Sequence, residues 1–160
     1  MTTERKRVLF VCTGNICRSP FAHYLAEHMA KDAGVPLAVE SAGTMGEVGM
    51  DMEPGAIKAL AARGLTGISH SARQLDERMV SQADVVYALT GRHRDWIASR
   101  FPAHAAKVAV LREAAGLQGA DVADPYGLSD EDYEVCARHI EEALKILIRR
   151  NSHAEKTRRS

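Results

Sequence analysis

The chain has 160 residues, 46% apolar and 26% charged, a profile that suits one folded core of ordinary size. Lys+Arg and Asp+Glu stand at 21 each, which removes any global electrostatic pull toward nucleic acid or a membrane surface. No apolar run reaches the ~20 residues of a membrane span, and Val8–Val11 is too short for a signal-peptide core, so a cytoplasmic protein is expected. Three cysteines are too few, and too odd in number, for a disulfide framework, which turns attention to thiol reactivity.

Val8-Leu-Phe-Val11 is a continuous apolar run, as in a strand buried on both faces. Phe21 to Lys31 reads as a helix with Phe21, Tyr24, Leu25 and Met29 on one side, closed by Gly34. Leu37 to Ala42 is a second strand. Ile57 to Arg63 is a helix entered through Pro54 and left through Gly64, and Gln74 to Val80 a further short helix. Asp84 to Leu89 is a third strand, and Arg92 to Arg100 a helix stopped by Phe101-Pro102. Val108 to Leu111 is a fourth strand. Ser129 to Ile148 is a long helix, with Tyr133, Cys136, Ile140, Leu144 and Leu147 at spacings of three and four and Ser129 as N-cap. Alternation of strands and helices predicts an α/β fold: three layers, α/β/α, around a doubly wound four-stranded parallel sheet. Residues 1–148 are expected to form a single domain, and the basic segment 149–160 a disordered tail.

In such sheets, sites gather at the carboxyl ends of strands. The first strand ends on Cys12-Thr-Gly-Asn-Ile-Cys-Arg18-Ser19-Pro20, and a helix follows. A strand–loop–helix of this kind can curl its backbone N–H groups around an anion. Gly14 eases the bend, and Asn15 tolerates left-handed backbone angles. Ser19 stands where an N-cap belongs and Pro20 in the first turn, so the positive end of the helix faces the loop. Such a setting favours the thiolate of Cys12, an attacking group suited to phosphorus. Arg18 offers a planar fork for two phosphoryl oxygens. Thr13, Gly14, Asn15, Ile16, Cys17, Arg18 and Ser19 are therefore the expected phosphate-binding residues. Asp124, in Asp124-Pro-Tyr126-Gly127, is the candidate acid for the leaving oxygen, since Pro125 holds it extended in a loop after the fourth strand.

These residues resemble the low-molecular-weight protein-tyrosine-phosphatase family over Val8 to about Ile148. The resemblance rests on the N-terminal Cys-x5-Arg-Ser loop, on Ser41-Ala42-Gly43 and on the late Asp-Pro-Tyr loop. It implies a protein-tyrosine phosphatase with a phosphocysteine intermediate: Cys12 as nucleophile, Arg18 as clamp, Asp124 as general acid. It also implies that Asn15 braces the loop and that Ser19 hydrogen-bonds the thiolate. The segment Ala88 to Asp124 also resembles the protein-arginine-phosphatase branch, which carries Thr at the position of Ile16. The branched apolar Ile16 favours an aromatic substrate, with Tyr126 as a second wall, although Gly46 to Asp51 holds no aromatic residue. Arsenate reductases share a similar loop but need further cysteines on a mobile segment.

Cys17 is open to two roles, a packed loop residue or the partner of Cys12 in a protective disulfide. Cys136, Trp96 and Met29 fit helix packing. The seven histidines show no metal-ligand spacing, and no dinucleotide fingerprint is present, so neither metal nor cofactor is expected. The expected partner is a phosphorylated protein, with no nucleic acid and no membrane, and the chain itself is expected to be a monomer or weak dimer.

Overall fold

The computed structural model describes residues 4–159. Four strands, β1 (Lys6–Cys12), β2 (Leu37–Gly43), β3 (Val85–Ala88) and β4 (Val108–Val110), form one parallel sheet in the order β2-β1-β3-β4. The six helices are α1 (Arg18–Ala33), α2 (Pro54–Ala61), α3 (Glu77–Gln82), α4 (Gly91–Arg100), α5 (Leu111–Ala114) and α6 (Asp130–Arg159), with a 3₁₀ segment at Pro102–Lys107.

The pleat of β1 explains the layering. Val8, Phe10 and Cys12 point to one face, where they join a core shared with α1, α2 and α6. Leu9 and Val11 point to the other, where they pack with Val80 of α3 and Ile97 of α4. Because β1 is central and covered on both sides, its apolar run cannot alternate with polar residues. The expected three-layer, doubly wound arrangement is the one observed.

Local boundaries differ from expectation at four places. First, α1 begins at Arg18 with Cys17 as its N-cap residue, two positions ahead of Ser19. The Ser19 hydroxyl is engaged by loop partners and so does not cap. Second, α3 begins at Glu77, because Gln74 forms a bridge with Gly43 and Asp76 accepts from the Met79 N–H as the true N-cap. Third, β4 gives way at Leu111 to the extra turn α5. Fourth, the segment expected to be a disordered tail is helical through Arg159, while Ser160 lies outside the described residues. Once a packed helix exists, each further residue adds a hydrogen bond without a new nucleus. Arg150 also ties the extension down, donating to the carbonyls of Ala114 (2.8 Å) and Ala115 (3.3 Å).

The start of α6 is as expected and better secured. The Asp132 N–H meets the Ser129 hydroxyl at 3.2 Å, and the Ser129 N–H donates to the Asp132 carboxylate at 3.2 Å, a reciprocal capping box. Among the described residues no helix is long and apolar enough to cross a membrane.

Lys107 secures the edge on which α3 ends. Its ammonium donates to three carbonyls, Val80 (3.0 Å), Ser81 (3.1 Å) and Ala83 (2.9 Å), so all three N–H groups are matched at a helix C-terminus. Lys107→Met is expected to cost roughly 1–3 kcal/mol in chemical denaturation, since it removes a charged donor shared by three carbonyls, of which Val80 O keeps the Ala83 N–H.

Candidate active site

The loop after β1 is turned inside out relative to ordinary chain. Its carbonyls face away from the centre, and each has a donor. The Cys12, Thr13 and Gly14 oxygens accept from the N–H groups of Thr44 (2.9 Å), Met45 (2.9 Å) and Glu47 (3.0 Å). Asn15 O accepts from His70 Nε2 at 2.8 Å, and Ile16 O from the Glu53 N–H at 2.9 Å. With the carbonyls outward, the N–H groups of residues 13 to 18 turn inward, and among the described residues none of them meets an acceptor. Six unspent donors in one ring form an anion cradle with the first turn of α1 as its base.

Asn15 makes the turn possible. It alone among the described non-glycine residues has a positive φ, 60°. Its side chain compensates by bracing the loop: Nδ2 donates to Ser19 Oγ (2.8 Å), and Oδ1 accepts from the Arg73 N–H (3.0 Å). Gly14 has a different reason to be glycine. A Cβ there would sit 3.0 Å from the Glu47 carboxylate, the movable end of an exposed side chain, and Gly14 has no positive φ, so space and not a turn is what the position offers. Gly43 is tighter still, because an added Cβ would meet backbone atoms of Thr13, Gly14 and Gly46. The end of β2 is thus pressed directly against the cradle.

Cys12 lies at the floor, 2% exposed. Ser19 approaches its sulfur twice, through Oγ at 3.0 Å and through N–H at 3.4 Å. Since Ser19 Oγ accepts from Asn15, its own proton is free to face the sulfur, with the Ala42 carbonyl farther off at 3.4 Å. Arg18 is buried, donates from Nη1 to Val122 O (3.0 Å), and holds Nη2 3.5 Å from the Asp124 carboxylate. Its Nε is buried without any partner. A buried guanidinium N–H left unpaired is costly, and here it belongs to a side chain that lines the cradle cavity.

Asp124 comes from the loop after α5. Val122 anchors that loop, its N–H donating to Leu89 O beyond the end of β3. Asp124 Oδ1 accepts from the Tyr126 N–H (3.1 Å), which orients the carboxyl group. Gly127, at φ 76°, completes the turn in which Leu128 N–H reaches Pro125 O. The cavity, about 300 Å³, is lined by Cys12, Thr13, Gly14, Ile16, Cys17, Arg18 and Asp124, with Met45, Glu47 and Tyr126 at its mouth. All the expected site residues converge on it except Asn15 and Ser19, which lie buried behind it as braces.

Cys17 packs against Tyr133, its sulfur 3.5 Å from the hydroxyl, and burial pushes its thiol up to about 12. Cys136 is likewise buried and raised to about 12 by loss of hydration. Among the described residues, no cluster of three or more His, Cys, Asp or Glu side chains is placed to hold a metal ion.

Four contributors were not anticipated. His70 lies behind the loop: Nε2–H donates to Asn15 O, leaving Nδ1 to accept from the Tyr24 hydroxyl at 2.6 Å, and burial lowers its pKa. Arg73 braces Asn15 and donates to Ser41 O. His93 joins Thr13 (Nε2 to Oγ1, 2.8 Å) to Thr90 (Nδ1 to Oγ1, 2.8 Å). Burial first, and then Arg18, lower the His93 pKa to about 4. Glu47 supplies an exposed carboxylate above Gly14. His93 and Glu47 carried a signal in the sequence: each follows the carboxyl end of a strand.

The low molecular weight phosphotyrosine protein phosphatase family model matches residues 7–158. The chain is 36% identical to the protein-arginine-phosphatase of Bacillus subtilis strain 168, covering 88% of this chain and 93% of that protein. It is 39% identical to the low molecular weight protein-tyrosine-phosphatase of Streptomyces coelicolor, covering 86% and 88%. The solved structure of the YwlE arginine phosphatase from Geobacillus stearothermophilus superposes with a TM-score of 0.87 at 32% identity, covering 95% of this chain and 96% of that one. A match that runs from β1 to the last turns of α6, in sequence and in fold, shows that this chain belongs to the low molecular weight phosphotyrosine protein phosphatase family.

Proposed function

We propose that the chain dephosphorylates phosphotyrosine in proteins through a phosphocysteine on Cys12. The observation that carries this is the ring of six inward N–H groups above a buried cysteine sulfur, beside a guanidinium whose Nε lacks a partner. An incoming phosphoryl group supplies acceptors for all of these donors at once. The Cys12 thiolate attacks phosphorus while the bond to the tyrosine oxygen breaks, and Asp124 delivers a proton to that oxygen. Charge on the equatorial oxygens is met by the loop amides and Arg18, which need no rearrangement to meet it. Asp124 then takes a proton from water, whose oxygen attacks phosphorus and expels the sulfur. Ser19, with two donors on that sulfur, stabilises it as the leaving thiolate. No step calls for a metal or a cofactor.

The mouth favours an aromatic leaving group. Ile16, Met45 and Tyr126 line it, and their apolar surface suits a ring. One observation favours a second substrate, phosphoarginine: the Glu47 carboxylate lines the same cavity as Asp124, a setting that suits a cationic guanidinium. Relatives named protein-arginine-phosphatases point the same way. A redox relay finds no support, since Cys17 and Cys136 are both buried.

Three outcomes are expected. Cys12→Ser abolishes hydrolysis of an aryl phosphate in chelator-treated buffer, and Asp124→Asn lowers kcat by about 10²–10⁴. Activity surviving in Cys12→Ser would rule out the phosphocysteine route. Matched phosphotyrosine and phosphoarginine peptides, assayed side by side, give the larger kcat/KM for phosphotyrosine, and Ile16→Thr narrows the gap. The reverse ranking would make the chain an arginine phosphatase.

The third concerns pH. His93 falls from an ordinary 6.5 to about 4 in the folded chain, and His70 also falls. Both histidines bind protons more readily when unfolded, so stability is fully present above pH ~6.5 and is lost as pH falls toward 4. For His93 the loss is on the order of 3 kcal/mol, and thermal unfolding of wild type and His93→Gln across that window measures it.

A further inference from the structure

His93 is buried, neutral and joined to two hydroxyls, yet the catalytic steps above do not use it. Its surroundings decide which way its protons point. Thr90 is the N-cap of α4, and its Oγ1 accepts from the backbone N–H of His93 at 3.2 Å. That leaves the Thr90 proton in need of an acceptor, and His93 Nδ1 lies 2.8 Å away. A neutral imidazole has one donor and one acceptor. If Nδ1 accepts from Thr90, then Nε2 carries the hydrogen and donates to Thr13 Oγ1 at 2.8 Å. Thr13 then has its acceptor side occupied and its own proton free. Thr13 follows the nucleophile directly and lines the same cavity as Cys12, Arg18 and Asp124.

We propose that Thr90 and His93 form a directed hydrogen-bond relay that aims the Thr13 hydroxyl proton at the phosphoryl group bound in the cradle. This makes Thr13 a further phosphoryl-contacting residue and His93 a positioning residue that acts through it. The inference rests on the phosphatase reading of the cradle. Burial and the neighbouring Arg18 keep the imidazole neutral, which the relay requires, because an imidazolium would donate to both threonines and reverse the Thr90 bond. The hydroxyl adds a seventh donor to the six loop amides, from a loop side chain whose oxygen is held by His93 of α4.

Two measurements test this. Long-range ¹H–¹⁵N correlation on protein with ¹⁵N-labelled imidazoles, saturated with vanadate, is expected to show His93 as the Nε2–H tautomer. An Nδ1–H tautomer would overturn the relay, and this readout does not depend on turnover. The second is a double-mutant cycle with an aryl phosphate. Thr13→Val and His93→Phe are each expected to lower kcat about tenfold, with Thr13→Ser and His93→Gln keeping most of the rate because each retains the needed hydroxyl or N–H donor. The double variant Thr13→Val/His93→Phe should lose no more than either single variant. Multiplied losses near a hundredfold, or equal losses in His93→Gln and His93→Phe, would reduce His93 to a packing residue. Should wild-type protein fail to turn over any phosphate ester, the phosphatase reading fails instead. Vanadate affinity weakened in Thr13→Val and retained in Thr13→Ser would then still support the hydroxyl contact, and unchanged affinity in both would refute it.

Discussion

A peptide loop cannot bury six N–H groups without acceptors unless something else holds it in that shape. The cradle after β1 is held from behind, through its carbonyls. Thr44, Met45, Glu47, Glu53 and His70 each supply one donor to one loop oxygen, and these donors come from three separate stretches of chain. The anion site is therefore a consequence of outward bonding. Every donor that satisfies a carbonyl on the outside leaves the next amide free for the cavity, where an anion can satisfy several at once. The strain in Asn15 belongs to the same scheme. Its positive φ reverses the chain, and the two bonds of its side chain offset the cost on the spot.

The sheet supplies the rigidity this needs. β1 is paired on both sides and covered on both faces, so Cys12 is delivered to its place by the most constrained strand of the protein. Gly43 brings β2 into backbone contact with the loop, and Val122 fastens the Asp124 loop to the end of β3. Three strand ends thus hold Cys12, the cradle wall and Asp124 in one frame. Arg18 links two of them, because it lies in the first turn of α1 and donates to Val122 O. The half-exposed Asp124, by contrast, sits on a turn at the solvent-facing rim of the cavity.

Much of this frame was legible in the sequence, for identifiable reasons. The run Val8–Val11 could only be a doubly buried strand, and Gly14, Asn15 and Arg18-Ser19-Pro20 after it specify a turn into a helix. The convergence of Asp124 followed from the rule on strand ends. What could not be read was the set of partners behind the loop. Nothing near His70 or Arg73 in the sequence marks them, because each works through a backbone carbonyl or a side-chain amide more than fifty residues away. The role of Ser19 as N-cap was misread for a related reason. Local propensity favours a serine at a helix start, but here its hydroxyl has a stronger claim from Asn15 and the sulfur of Cys12. The helical course of 149–159 escaped because a charged segment gives no apolar periodicity, whereas its helix is extended from a packed neighbour.

Glu47 shows how the same construction bears on substrate choice. Its N–H holds a cradle carbonyl, so its backbone is part of the machinery, yet its side chain hangs free over Gly14 at the mouth. A carboxylate beside an anion site works against the phosphoryl charge unless the rest of the substrate compensates. At the floor the loop amides and the buried Arg18 guanidinium oppose it with donors that no protein acceptor takes up. At the exposed mouth, solvent weakens its pull, and the apolar surfaces of Ile16, Met45 and Tyr126 have the larger say in which side chain fits. The cavity thus differs in make with depth: its floor is backbone geometry that the fold locks, and its rim is side chains that the fold leaves free to differ.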